Sequence, residues 1–378
     1  MGPELSGASL HIDLRALQRN YLRFCDAAGA GKSAATVKAD AYGLGLVPVA
    51  RALWAAGCRS FFVALPGEGV ELRAALPDAE IILLNGLLPG AAAFYAKAAL
   101  TPALAQPEEL AEWASFCRAT SARQAAAIHF DTGINRLGFS ERQLRAIKPD
   151  DLAAIHLTLV MSHLANADAP DDEMNARQLA RFHELRQLLP PCRLSLANSP
   201  GSLLDKSFAQ DLLRPGIGLY GGNPYGADQE NPFEPVVRLT APVMQVREVM
   251  AGEKVGYTGS FTAKRPSRIA IFGAGYRDGY PRALSSGPEG GPARVFIAGH
   301  FAPIAGRVSM DMISVDVTDI PAEKIARGTV AEVLGEHVTL DEMASLAGTI
   351  PYEILTRLGT RYARIYSGFE SPDQGAPV

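Results

Sequence analysis

The chain has few cysteines, few tryptophans, no long apolar run and no concentration of positive charge, and each shortage closes off a class of function. The four cysteines, Cys25, Cys58, Cys117 and Cys192, are scattered over 378 residues without a C-x-x-C pair. Neither a disulfide framework nor a zinc ribbon is expected, and the thiols read as reduced, packed residues of a cytoplasmic protein. The seven histidines, at 11, 129, 156, 163, 183, 300 and 337, show no metal-ligand spacing, so no metal site is expected. No segment offers the roughly 18 to 20 unbroken apolar residues of a membrane span. The opening "MGPELSGASLHIDL" has neither a basic leader nor an apolar core, so no secretory signal is expected. A net charge of −4 without a basic cluster points away from nucleic acid.

What is present is an ordinary globular composition, 48% hydrophobic and 20% charged. The length exceeds the roughly 250 to 300 residues that one core supports, so a large domain plus a smaller one is expected. From about residue 30 to 222, β-rich runs alternate with helical patterns. The runs at 34–38, 60–65, 80–86, 100–104, 126–130, 155–162, 193–197 and 216–221 make eight candidate strands. Between them lie stretches such as "VPVARALWAAG", "PEELAEWASFCRAT" and "DEMNARQLARFHELRQLL", with apolar residues at three and four spacing. Eight such units predict an α/β fold of the (β/α)8 TIM-barrel type. After "NPYGADQENPFEP" the texture changes to short strands separated by turns, with one clear helix near "TLDEMASLAG". The expected division is a barrel over 8–232 and a mostly-β domain over 233–378, with residues 1–7 packing on the latter and a frayed tail at "FESPDQGAPV".

In such a barrel the chemistry sits where strands end on the C-terminal face, and phosphate is gripped by the loops after the seventh and eighth strands. "TVKADAYGLG" drives Lys38 out of the first strand. That lysine is either an ordinary solvated residue beside a turn or an amine held to form a Schiff base. "HFDTGINRLG" puts Asp131 and Arg136 after the fifth strand, "MSHLANAD" puts His163 after the sixth, and "LANSPGS" puts Asn198 and Ser199 after the seventh. "LLRPGIGLYGG" sets Arg214, Gly216 and Ile217 beside the eighth. An amine, a hydroxyl with backbone N–H groups, and arginines on one rim are the parts expected around pyridoxal phosphate.

Nine motifs in order, "TVKADAYGLG", "HFDTGINRLG", "MSHLANAD", "ANSPGS", "LRPGIGLYGG", "VGYTGSF", "GYRDGYPR", "AGRVSMDM" and "PYEILTRLG", resemble the bacterial alanine racemases from about residue 10 to 366. The resemblance implies that Lys38 holds pyridoxal 5'-phosphate and serves as one catalytic base, with Tyr257 as the second base on the opposite face of the substrate carbon. A free tyrosine, with a pKa of about 10, is a poor base at neutral pH, and the family answers with a polar chain through His163 and Arg214. Arg214 would face the pyridine nitrogen; arginine cannot accept a proton there, which weakens the ring as an electron sink and suppresses transamination. Ser199, Tyr42, Tyr352 and the backbone N–H groups of Gly216 and Ile217 would hold the phosphate, with Asn198 beside them. Arg136 would bond the cofactor phenolate oxygen and help place the substrate carboxylate, with the Met310 backbone as its partner. Tyr276 and Asp311 match positions that line the access corridor and screen substrates by size. In the family Tyr257, Met310 and Tyr352 come from the neighbouring subunit, so a homodimer with two composite sites is implied.

Two positions depart from the family pattern. His129 stands where many members carry a carbamylated lysine that orients Arg136, so Arg136 needs another partner, Asn135 or a bound anion. Leu44 replaces a histidine of the first loop. The expected activity is interconversion of L- and D-alanine, supplying D-alanine for peptidoglycan or degrading it. A broader-range racemase acting on serine or larger amino acids is the near alternative. An amino-acid decarboxylase on the same plan would call for a carboxylate opposite the pyridine nitrogen and a cysteine in the β domain, whereas every cysteine lies at or before residue 192. A pyridoxal phosphate carrier would consist of the barrel alone.

Overall fold

A computed structural model of the chain describes residues 7–29, 31–225, 229–287 and 290–369. The chain divides into two compact units, one from Leu17 to Leu219 and the other combining the residues up to Ala16 with those from Tyr220 onward. The first strand, β1 (Ser9–Asp13), pairs antiparallel with β11 (Val237–Val249) and parallel with β19 (Ala363–Ser367). Residues from 8 onward were expected in the barrel; instead the sheet of the C-terminal unit takes up this segment. Of the expected packing of residues 1–7, all but Gly7 lies outside the described residues.

The first of these units is an eight-stranded parallel barrel. Its first strand is interrupted at Ala34 into β2 (Lys32–Ser33) and β3 (Ala35–Thr36). There follow β4 (Ser60–Val63), β5 (Glu80–Leu83), β6 (Thr101–Leu104), β7 (Ala125–His129), β8 (His156–Met161) and β9 (Arg193–Ser195), paired in that order. The ring closes through β10 (Leu212–Leu213), which pairs parallel with β2. The Asp211 and Arg214 N–H groups bond the Leu194 and Ala197 carbonyls, and the Thr36 N–H bonds the Pro215 carbonyl. The eighth strand therefore lies upstream of 216–221, where an apolar run suggested it. Pro215 has no N–H to continue a ladder, and the chain turns into a 3-10 helix at Ile217–Tyr220. A short apolar run does not by itself distinguish a strand from a buried turn.

Strands buried on both faces read as continuous apolar runs, and "SFFV" in β4 is buried at every position. Inside the barrel Phe62 meets Ala34, Ala103 and Ala127, with Ile82, Leu159, Met161 and Leu212. One large ring opposite several alanines fills the narrow interior of an eight-stranded barrel. The helices fall where their periodicity predicts, for example Pro107–Thr120 with proline and acids in its first turn.

In the other unit, β12 (Lys254–Val255) and β13 (Phe261–Thr262) form a hairpin, and β14 (Ser267–Phe272) joins β11 to β17 (Ile313–Asp316). The hairpin of β15 (Arg294–Ile297) and β16 (His300–Pro303) is continued by β18 (Val330–Leu334), which pairs with β11. Beside the expected helix, Leu340–Leu346, a second occupies Pro351–Thr356.

Replacing Phe62 by Ala opens a cavity at the centre of the barrel and costs about 3 to 5 kcal/mol. Urea unfolding followed by far-UV circular dichroism should show the loss in the barrel transition, with Phe62→Leu costing less.

Candidate active site

Lys38 follows β3 at the C-terminal rim, and what comes next is unusual. Ala39, Asp40, Ala41 and Tyr42 all have positive φ, between 51° and 57°. Each L-residue in that conformation costs roughly 1 to 2 kcal/mol, so surrounding bonds must hold the turn. The Ala41 N–H donates to the Val37 carbonyl, and the Gly45 N–H to the Asp40 carbonyl, each at 2.9 Å. Asp40 Oδ1 accepts from the Leu46 N–H at 2.7 Å. Glu68, which no sequence motif singles out, is the clamp. Its Oε1 accepts from the Ala39 N–H at 2.6 Å, and its Oε2 from the Ala64 and Leu65 N–H groups at 2.8 and 3.0 Å. An acid in the first turn of the helix Pro66–Ala75 was its only signal in the sequence.

The turn carries the Tyr42 hydroxyl to Gly216, where an added Cβ would lie 2.3 Å from it. The glycine is thus needed for close approach. Ser199 Oγ accepts from the Gly216 N–H at 2.7 Å and the Gly218 N–H at 3.4 Å. Ile217 begins the 3-10 turn and is fully buried. Two hydroxyls thus gather beside the glycine N–H groups of this turn, donor types that suit a phosphate. Asn198 plays a structural part, because its Oδ1 accepts from the N–H of Gly201, the first residue of the turn Gly201–Leu203, at 3.0 Å.

Arg214 is buried, and burial lowers its pKa to about 9. Its terminal nitrogens donate to Ser195 Oγ and the Ser162 carbonyl, both at 2.5 Å, and to the Leu196 carbonyl at 3.2 Å. One of them lies 3.4 Å from His163 Nδ1, and none of these bonds engages Nε. Desolvation and then the Arg214 charge hold His163 well below the ordinary histidine range. His129 is held at about 4 by burial, then by Arg214 and Arg136, and both its ring nitrogens are buried without a hydrogen-bond partner. Desolvation, then Arg136, lowers the pKa of Lys38, against a smaller opposing effect of Glu68. Arg136 itself is exposed. Asn135, its possible partner, donates its Nδ2 to the Gly133 carbonyl at 3.3 Å. Leu44 is fully buried and packs as a core residue.

An amine of lowered pKa, two hydroxyls beside glycine N–H groups, and a buried arginine with no carboxylate partner among the described residues thus lie along one barrel rim. The same arrangement of motifs is found in known proteins. Residues 12–224 match the alanine racemase N-terminal domain, and residues 236–366 match the alanine racemase C-terminal domain. The chain belongs to the alanine racemases. It is 47% identical to the alanine racemase of Methylobacterium nodulans, over 95% of this chain and 96% of the relative. It is 46% identical to a catabolic alanine racemase of Agrobacterium fabrum, over 95% and 92%. Its fold superimposes with a TM-score of 0.90 on a crystal structure of alanine racemase from Bartonella henselae with covalently bound pyridoxal phosphate, at 40% identity and covering 95% of this chain and 99% of that one.

In this racemase the remaining predicted site residues lie in the C-terminal unit. Tyr257 stands in a 3-10 turn between β12 and β13 and is 70% exposed. Tyr276 begins another such turn, and its N–H donates to the Ser309 carbonyl at 3.0 Å. Met310 is exposed, and its carbonyl accepts from the Arg277 N–H at 3.0 Å. Asp311 pairs with Arg361. Tyr352 lies in the helix Pro351–Thr356. Among the described residues no group of three or more His, Cys, Asp or Glu could hold a metal ion.

The neutral His129 gives a pH prediction. Its folded pKa is about 4, below the unfolded value of about 6.5. Between those values the unfolded chain binds a proton that the folded one refuses, so stability falls as pH drops through that window. The full loss is about 3 kcal/mol. Melting temperatures from pH 7 to 4.5 should fall more steeply for the wild type than for His129→Gln. Parallel curves would show that the acid sensitivity arises elsewhere.

Proposed function

We propose that this chain interconverts L- and D-alanine with pyridoxal phosphate bound at the barrel rim. The observation that carries the reading is the convergence of Lys38, its amine pKa lowered, with the cradle of Tyr42, Ser199 and Gly216. Bound there, pyridoxal phosphate would acidify the α-proton of an amino acid by withdrawing electrons from its carbon. Lys38 would hold the cofactor, and Ser199, Tyr42, Tyr352 and the Gly216 and Ile217 N–H groups would hold its phosphate. Arg214, whose bonds to Ser195, Ser162 and Leu196 engage only its terminal nitrogens, would face the ring nitrogen. Unable to accept a proton, it would leave that nitrogen unprotonated, which would favour return of the proton to the α-carbon. Its bonds to neutral groups fix it in that role.

Inversion requires a proton to leave one face and return to the other, hence two groups. The desolvated Lys38 amine serves one face and the Tyr257 hydroxyl the other. Arg136 would bind the substrate carboxylate with the Met310 backbone beside it. His163 orients through its contact with Arg214, and Asn198 shapes the cradle through its bond to the Gly201 N–H. Tyr276 and Asp311 restrict what reaches the site, favouring the methyl side chain of alanine. Tyr257, Tyr276, Met310 and Met312 all expose apolar surface on the C-terminal unit, which supports their coverage by a second copy in a homodimer. No described helix is long and apolar enough to cross a membrane, and the expected setting is the cytoplasm. There the enzyme would supply D-alanine for peptidoglycan or serve its degradation; two of its relatives are named catabolic alanine racemases.

Proton NMR with L-alanine in deuterated water should show loss of the α-proton signal and accumulation of D-alanine. An untouched α-proton would exclude the activity. Lys38→Ala should lose the visible absorbance of the bound cofactor, whereas Tyr257→Phe should keep it and lose about 10²- to 10⁴-fold in turnover starting from L-alanine. Mixing these two inactive variants under subunit exchange tests the shared sites. If Lys38 and Tyr257 come from different subunits, half of the dimers regain one intact site, or about a quarter of wild-type activity. A mixture that stays inactive would place both residues in one subunit.

A further inference from the structure

Three turns of the C-terminal unit meet at one buried carboxylate. Asp278 ends the 3-10 turn Tyr276–Asp278 and is only 4% exposed. Its Oδ2 accepts from the Gly275 N–H at 3.0 Å, and its Oδ1 accepts from Arg361 Nε at 2.5 Å. Its backbone carbonyl accepts from the Gly359 N–H at 2.8 Å. The guanidinium of Arg361 continues to the Ser309–Met312 turn, where it donates to Asp311 Oδ1 at 2.8 Å. Backbone contact joins the same segments. A Cβ on Gly275 would lie 2.3 Å from the Met310 carbonyl oxygen, and one on Gly359 would lie 3.2 Å from Asp278.

The geometry points to Arg361 as a positioning residue for substrate selection: by bridging Asp278 to Asp311 it fixes the turn bearing Tyr276 against the turn bearing Met310 and Asp311. This rests on the reading that those three residues border the substrate's path. Arg361 itself touches neither cofactor nor substrate in that reading. Its fork suits this role because the guanidinium offers several N–H donors in a fixed plane and can bond two carboxylates at once. A lysine could supply the charge, but its compact ammonium lacks the fixed planar fork that spans both carboxylates. Without either, Asp278 keeps a buried charge with only backbone donors. The Gly275–Asp278 turn then loses the anchor that sets the Tyr276 ring, and Asp311 is released.

The test compares wild type, Arg361→Met and Arg361→Lys as cofactor-loaded enzymes, with kcat and KM measured for alanine and for serine. In Arg361→Met we expect the preference for alanine over serine, as a ratio of kcat/KM, to fall by about tenfold. KM for alanine should rise while cofactor absorbance and dimer mass hold. Arg361→Lys should recover part of the preference, and it keeps the test available should the methionine variant fail to fold. A preference unchanged within about twofold in both variants would overturn the assignment, whether the two activities stayed level or fell together. Wild-type enzyme that leaves alanine untouched would instead refute the racemase reading.

Discussion

The constraint on which the site depends is a cation kept in the barrel wall without an anion. Arg214 bonds Ser195, Leu196 and Ser162 through neutral oxygens, and no carboxylate pairs with it among the described residues. Burying a charge is costly unless hydrogen bonds replace its water, and here the replacement comes from the ends of the sixth and seventh barrel strands. The guanidinium also lies 5.9 Å from the centre of the Phe62 ring, which plugs the barrel interior. Core packing and site electrostatics are therefore one problem. Desolvation first, and then the same charge, lower the pKa of His163 and His129, so the rim carries donors and acceptors rather than a crowd of competing cations.

The second requirement is conformational. Four consecutive L-residues with positive φ follow Lys38, a run that no local preference favours. Glu68 and Asp40 hold it by accepting backbone N–H groups that an ordinary strand-to-helix loop would direct elsewhere. The return for this strain is position: Lys38 stays at the end of the strand while Tyr42 folds back onto the Gly216 cradle. Strain that surrounding structure fixes in this way is common at functional sites, where it holds groups ready for a ligand.

The C-terminal unit places its candidate site residues differently. Tyr257, Tyr276 and Met310 lie on short turns and are exposed, and backbone hydrogen bonds join the turns of the last two. Around Asp278, glycines at 275 and 359 let three backbones approach, and Arg361 carries the connection out to Asp311. Tyr276 and Met310 thus sit on turns tied to a buried carboxylate, whereas the barrel's candidate residues sit at the ends of strands.

The sequence by itself determined the architecture of the barrel, most of its strands and helices, the family, and the residues that line the rim. These follow from periodicity, from the rule that functional groups sit at strand ends, and from motifs whose glycines and prolines carry local geometry. It did not determine the eighth strand, because the apolar run "GIGLYG" looks alike whether it forms a ladder or a buried turn. Nor did it assign β1 to the C-terminal sheet, since both partners of that strand lie more than two hundred residues away. Glu68 and Arg361 stayed hidden for the same reason: an acid in a helix and an arginine near a chain end are ordinary in sequence. Only tertiary structure decided which backbone N–H groups and carboxylates they would meet. Long-range hydrogen bonds depend on the folded path, whereas strand periodicity and turn chemistry are written locally.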